Sequence, residues 1–321
     1  MNSEKLGLLV GLNEAYRSDI HLLNARIAKM SAAEVDELLE RAISSMKSER
    51  LLPNAGTDVR AILSEVTPGM AAKRAQLVEE YARLGVSIRT IWDSDYPARL
   101  RELDSPPLVL IIEGTTFPGR RPIAIVGTRE AGQIGIAETR ALSRDLATLG
   151  HTIVSGLARG IDAAAHRGAL DAKGTTVAIL AGDLGHIYPP ENRSLCRDIV
   201  QNGAAVSEVS PYGTMHRARF VERNRITSGV SEAVVVGEFH GSGGTLHQVR
   251  FAISQGRPVF ALRQPAEADG LARRGAAMLE EMGAVIIRGA DELERSLEVP
   301  GSASFKPRHK RTRQSNLPES G

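Results

Sequence analysis

Residues 123–129 read IAIVGTR, an apolar β-branched run that ends on a glycine and passes directly into Thr128 and Arg129. The same punctuation recurs downstream. Short apolar runs at 152–156, 176–180, 233–237 and 258–262 each end in small or charged residues, and helix-length segments separate them. This alternation predicts a parallel, doubly wound α/β sheet. Strands are expected near 123–127, 152–155, 176–180, 204–207, 233–237 and 258–262, with helices on both faces. In such sheets ligands bind outside the carboxyl ends of the strands, so the residues at those ends carry the functional reading.

The chain of 321 residues is long enough for a full core and a second, smaller unit. A hydrophobic share of 42% with 24% charged residues is that of an ordinary globular protein. The net charge of +2 is too small to argue for a polyanionic partner, so any such argument must come from local clusters. A lone cysteine, Cys196, excludes an internal disulfide framework and a cysteine-rich zinc site. The opening MNSEKLGLLVGLNEAYRSD makes a poor secretory signal, and no apolar run is long enough to span a membrane. The cytoplasm is the expected compartment.

Residues 1–88 read as a small helical domain. SAAEVDELLERAI carries a Ser31 cap signal with Glu34 three residues on, and MAAKRAQLVEEYARLG closes at Gly85. LLPNAG, at 51–56, is a turn cluster between them. Residues 89–119 read as a connector that adds a strand or two to the edge of the main sheet. The sheet domain is expected over 120–298. Residues 299–321 hold Lys306, Arg308, Lys310, Arg311 and Arg313 against Glu319 alone, and predict a disordered basic tail.

The strand ends share one chemistry. Gly127, Thr128 and Arg129 follow the first strand, as a sharp turn, a hydroxyl and a guanidinium suited to a phosphate. Ser155, Gly156, Arg159 and Gly160 follow the second, ahead of a helix that begins near Asp162. Asp162 reads first as a helix-start acid, and His166, four residues on, makes metal binding a minor alternative because no third ligand is spaced to join them. After the third strand, Pro189, Pro190 and Asn192 form a rigid loop ending in a helix cap, and Tyr188 reads as a packing residue. GTMHRARFVERNRITSG gathers Arg217, Arg219, Arg223 and Arg225 around Phe220, with Glu222 as the only acid. Basic residues around an aromatic suit a nucleic-acid backbone with one stacked base. Ser242 and Gly243 lie in a Gly/Ser/Thr loop entering a helix, a phosphate cradle in form. That loop lacks the Lys-Ser/Thr end of a P-loop and the spacing of a dinucleotide fingerprint. Taken together the loops predict one groove holding Arg129, Arg159, Arg223 and Arg225, for a nucleotide or a nucleic-acid strand.

The ordered motifs IVGTR, SGLARGIDAAAHRGAL, YPPENR, FVERNRI, GSGGT and QGRPVFAL resemble the DNA-processing protein A (DprA/Smf) family over roughly residues 90–265. The resemblance implies an extended Rossmann-like sheet with a small N-terminal helical domain. It also implies a homodimer without catalytic turnover or cofactor, which protects single-stranded DNA and hands it to the RecA recombinase in recombination or natural transformation. By motif, the DNA pocket would comprise Gly127, Thr128, Arg129, Ser155, Gly156, Arg159, Phe220, Arg223, Asn224, Arg225, Ser242 and Gly243. The family's usual SGSL loop is replaced here by Ser242-Gly243-Gly244-Thr245, and Val221-Glu222 stands where a proline often follows the phenylalanine. The winged-helix domain that many members carry at the C-terminus is not expected here, where only the basic tail follows the sheet domain. The GGT variant is similar to nucleotide phosphoribohydrolases, which offer an alternative reading as a nucleotide sensor or hydrolase. Gln248 occupies the place of their catalytic glutamate.

Overall fold

The computed structural model describes residues 1–14, 18–48, 57–115, 117–213 and 216–298. The expected turn at 51–56 and the basic tail at 299–321 lie outside the described residues. Helices come first: α1 (Ser3–Glu14), α2 (Ser18–Ile27), α3 (Ala32–Lys47), α4 (Thr57–Glu65) and α5 (Pro68–Leu84). The Ser31 signal holds, since its hydroxyl accepts from the Glu34 amide and the Glu34 carboxylate accepts from the Ser31 amide at 2.7 Å. Helix α5 ends at Gly85, whose φ of +75° lets the chain turn out of the helix. Helices α1 and α5 touch backbone to backbone, for a β-carbon on Gly7 would lie 2.7 Å from the Ala75 amide nitrogen.

The sheet follows. Strand β1 (Ser87–Thr90), helix α6 (Ala98–Arg101) and strand β2 (Val109–Gly114) form the connector. Then come β3 (Ile123–Val126), α7 (Gln133–Thr148), β4 (Ile153–Ser155), α8 (Ile161–Asp171) and β5 (Thr176–Ile179). A 3-10 turn at Pro190–Asn192 leads to α9 (Arg193–Asn202) and β6 (Gly203–Ser207). The chain continues through α10 (Ala218–Glu222), α11 (Asn224–Val230), β7 (Ala233–Val236), α12 (Gly244–Ser254) and β8 (Val259–Leu262). It closes with α13 (Gly270–Glu281), β9 (Val285–Ile287) and α14 (Ala290–Glu298).

The nine strands form one sheet in the order β1-β2-β6-β5-β4-β3-β7-β8-β9. Strand β2 runs antiparallel to both β1 and β6, and every other pair is parallel. All six expected strands are present, and β1 and β2 add the expected edge. Strand β9 lies beyond the expected set. The order places the functional end of the molecule. From β3 the chain steps through β4, β5 and β6 in one direction, then returns to the other flank of β3 as β7. The loops after β3 and β7 therefore diverge at a reversal point, where a crevice opens at the carboxyl ends.

Strands β3 and β7 are buried on both faces, as parallel strands between helices must be. The N-terminal helices do not stand apart from the sheet. Leu8, Leu12, Val35 and Leu39 share one continuous core with Leu110, Ile112 and Val206. Among the described residues no helix is long and apolar enough to cross a membrane.

Candidate functional site

Three loops meet at the reversal point and are tied to one another by backbone. The Thr128 amide donates to the Glu238 carbonyl at 2.8 Å, and the Ile161 amide donates to the Thr128 carbonyl at 3.2 Å. The Glu238 carboxylate, 4% exposed, accepts from the Gly132 amide at the start of α7 and lies 2.7 Å from His240 Nε2. Gly127 permits this approach, since a β-carbon there would lie 2.5 Å from Ile161 Cγ1 and 2.6 Å from the Glu238 carbonyl oxygen.

These loops line a cleft of about 970 Å³. Its walls include Gly127, Thr128 and Arg129 after β3, Arg217, Phe220, Arg223 and Asn224 from the arginine segment, and Ser242 and Gly243 before α12. Gly156 and Arg159 line a smaller recess that shares Arg129, Phe220 and Arg223 with the cleft. The Arg129 guanidinium lies over the Phe220 ring, 5.4 Å from its centroid. Tyr188 meets the same ring edge-on at 5.4 Å and is 55% exposed, so it forms part of an open aromatic wall as well as packing. Helix α12 starts at Gly244 behind Gly243, φ +83°, which gives it no side-chain cap, and the Leu246 amide donates to the Gly243 carbonyl at 3.1 Å, so the helix start lines the cleft with backbone in place of a capping side chain.

Arg223 is the buried cation of the site. It is 6% exposed, its Nη1 donates to the Ile179 carbonyl at 2.6 Å, and its buried Nε has no hydrogen-bond partner among the described residues. Burial pulls its pKa below the ordinary arginine value, Asp162 works the other way, and the Arg129 charge adds to the fall. Asp162 sits in the first turn of α8 and accepts from the Gly156 and Ala158 amides at 3.2 and 3.3 Å. Burial raises its pKa, while Arg223 and those amides oppose the rise. Beside this pair the exposed Arg129 and Arg217 stand against the exposed Glu130, so the lining carries a small surplus of positive charge at the mouth of the cleft.

The expected groove of four arginines needs correcting at one of them. Arg225 leaves the cleft: Nη1 and Nη2 clasp the Glu208 carboxylate at 3.1 and 2.7 Å, with side chains 15% and 6% exposed. Two residues along a helix rotate a side chain by more than half a turn, so Arg223 and Arg225 cannot face one ligand. Ser155 is likewise structural. It is fully buried and its hydroxyl donates to the Ile125 carbonyl at 2.6 Å, fastening β4 to β3. Arg159 is exposed and pairs with Glu191. Arg219 also turns inward, 4% exposed, with Nη2 donating to the Glu14 carbonyl.

Other readings resolve similarly. His166 is fully buried, and the Thr176 hydroxyl beside it donates to the Ile153 carbonyl at 2.9 Å. The 2.7 Å contact is therefore His166 Nδ1–H donating to Thr176 Oγ1. Burial, with the Arg223 and Arg167 charges, lowers the His166 pKa to about 3, so the ring is neutral. Asn192 does not cap α9, for its amide donates to the Leu157 and Ala158 carbonyls and holds the loop after β4. Asn224 joins α11 to α12 by donating to the Gly244 carbonyl at 3.3 Å, and Gln248 donates back to the Asn224 carbonyl at 3.0 Å. Gln248 is thus a structural tie at the place where a hydrolase would need a carboxylate. Arg217, Thr245 and His247 line the cleft beyond the expected set. Helical spacing was the available signal, because 217, 220, 221 and 224 recur on one face.

Sheet and cleft define a class: a Rossmann-like α/β protein that offers converging arginines, an aromatic wall and an uncapped helix start to an anionic ligand. Within that class, the sequence profile of the DNA recombination-mediator protein A family matches residues 87–298. The chain belongs to this family. It is 39% identical over 227 residues to protein Smf of Synechocystis, covering 69% of this chain and 56% of that protein. It is 36% identical over 192 residues to DNA processing protein DprA of Bacillus subtilis, covering 59% and 65%. The chain thus spans about three fifths of the length of these relatives. Its fold matches DNA processing protein A of Streptococcus pneumoniae with a TM-score of 0.63 at 24% identity, over 87% of this chain and 97% of that one. It also matches DNA processing protein A of Helicobacter pylori, described for its single-stranded DNA binding mode. There the TM-score is 0.58 at 28% identity, over 66% and 95% of the chains.

Proposed function

We propose that this protein binds single-stranded DNA in the cleft between the loops after β3, β4 and β7, and serves as a recombination mediator without catalytic turnover. The observation that carries the reading is Arg129 stacked on Phe220 beside the buried, incompletely bonded Arg223. That arrangement offers a phosphate two guanidinium donors and a base one aromatic face, the two elements of sequence-tolerant strand binding. Arg217 and the open start of α12 supply a second place for phosphate. The single-stranded DNA named for the Helicobacter pylori protein supports the same ligand here. Protection of incoming or exposed strands, loading of RecA and action as a homodimer in the cytoplasm belong to this reading through family membership.

The test compares a fluorescent oligodeoxythymidylate with thymidine monophosphate as ligands, while following release of base or ribose phosphate. Oligonucleotide binding that weakens steeply with salt, without product, is the expected result. Equal affinity for the mononucleotide, or product release, would replace it with the nucleotide reading. Sedimentation of the free protein tests the dimer. Strand exchange by RecA, with and without the protein, tests loading.

A further inference from the structure

The end of α1 is built into the segment that carries the cleft's arginines. Asn13 acts there like an extra peptide group: its Oδ1 accepts from the Leu108 amide at 2.8 Å, and its Nδ2 donates to the Glu208 carbonyl at 2.7 Å. Glu14 is 5% exposed. Its carboxylate accepts from Arg74 Nε and Nη2 at 2.9 and 2.6 Å and from the Ser210 amide at 2.5 Å. Its carbonyl accepts from Arg219 Nη2. Arg219 stands one residue before Phe220, on the helix whose opposite face lines the cleft, and its buried Nε has no hydrogen-bond partner among the described residues. The Arg219 hydrogen bond therefore ties the inner face of α10 to the last turn of α1.

We infer that Glu14 and Arg219 are positioning residues for the DNA-binding turn, and that through them the packing of the N-terminal helices sets the affinity of the cleft. Neither residue lines the cleft, so neither acts by touching the ligand. The carboxylate of Glu14 holds α5 through Arg74 and the loop after β6 through Ser210, while its carbonyl holds α10. A shift of α1 against α5 is thereby passed to Phe220 and Arg223. The inference rests on the proposed function for its ligand, but its structural half is testable without one.

Arg219→Lys keeps the charge but loses the planar fork that reaches the Glu14 carbonyl. Glu14→Gln weakens the carboxylate contacts. Hydrogen exchange in ligand-free protein should quicken across 216–223 in both variants, while β3 and β7 stay protected. Oligonucleotide affinity of Arg219→Lys should fall roughly five- to tenfold with an unchanged salt slope, since no phosphate contact is lost. Reciprocally, oligonucleotide bound to the unaltered protein should slow exchange at 11–14. Unchanged exchange at 216–223 overturns the inference, and so does quickened exchange with unaltered affinity. If Glu14→Gln fails to fold, Arg219→Lys decides the matter alone. If the unaltered protein binds no oligonucleotide, the proposed function fails, and exchange at 216–223 still accepts or rejects the coupling.

Discussion

The Arg223 guanidinium occupies the space that a side chain at Gly156 would need: a β-carbon on Gly156 would lie 1.7 Å from Arg223 Nη1. The glycine after β4 is thus required by an arginine 67 positions later (223 − 156). Gly156→Ala should push the guanidinium off the Ile179 carbonyl without removing any charge. Affinity for single-stranded DNA should fall about tenfold, with stability lowered by roughly 1–3 kcal/mol. Anisotropy titrations and urea unfolding on the same preparation separate the two effects. Undiminished binding by a folded variant would mean that Arg223 need not sit where it does.

Arg129 is exposed, with its guanidinium over the Phe220 ring. Replacing it with alanine should remove one charge-assisted phosphate contact, about 1.5–3 kcal/mol, or roughly ten- to hundredfold in affinity. The loss should be nearly the same for every base sequence, and the salt slope should drop by about one phosphate. A full-strength salt slope in Arg129→Ala would place the phosphate elsewhere.

Arg225 answers oppositely. Arg225→Ala leaves Glu208 buried without its cation and should cost about 3 kcal/mol of stability, read as a lower urea midpoint. Strand affinity of the folded fraction should stay within about threefold. A selective loss of affinity at normal stability would return Arg225 to the cleft.

His166 gives a pH dependence with a defined sign. Its folded pKa, about 3, lies below the ordinary 6.5, so the unfolded chain takes up a proton that the folded chain refuses. This contribution to stability is fully present above about pH 6.5 and is lost as the pH falls toward 3. Its slope approaches about 1.4 kcal/mol per pH unit below the unfolded pKa. Unfolding midpoints from neutral pH to about pH 5 should fall more gently in His166→Gln than in the unaltered protein. Parallel curves would assign the acid sensitivity to other groups.

Strand positions were legible because a run such as IAIV states its own burial, and a glycine at its end states where the chain turns. The loops at 127–129 and 242–245 were legible for the same local reason. Arg219 and Arg225 were not. Each belongs to a visibly basic segment, yet each is claimed by a carboxylate or carbonyl far away in sequence, Glu14 for one and Glu208 for the other. Composition sees the arginines, and only tertiary pairing assigns them. Ser155 misleads in the same way, because a hydroxyl at a strand end reads as a ligand contact until its bond to Ile125 is known. The edge strand β9 shows the opposite limit, since Val285, Ile286 and Ile287 become a strand only by pairing with β8.

The mutual ties among Thr128, Ile161, Gly132 and Glu238 also bear on how fast and at what heat a ligand arrives. Loops already bonded to each other have little conformational freedom left to surrender, so association should proceed as docking onto a finished surface. The encounter rate should then follow electrostatic attraction, rising as salt is lowered, with no slower closing phase behind it. Calorimetry should find a modest heat-capacity change, that of one base and a short backbone covered, far from the large value that accompanies folding upon binding.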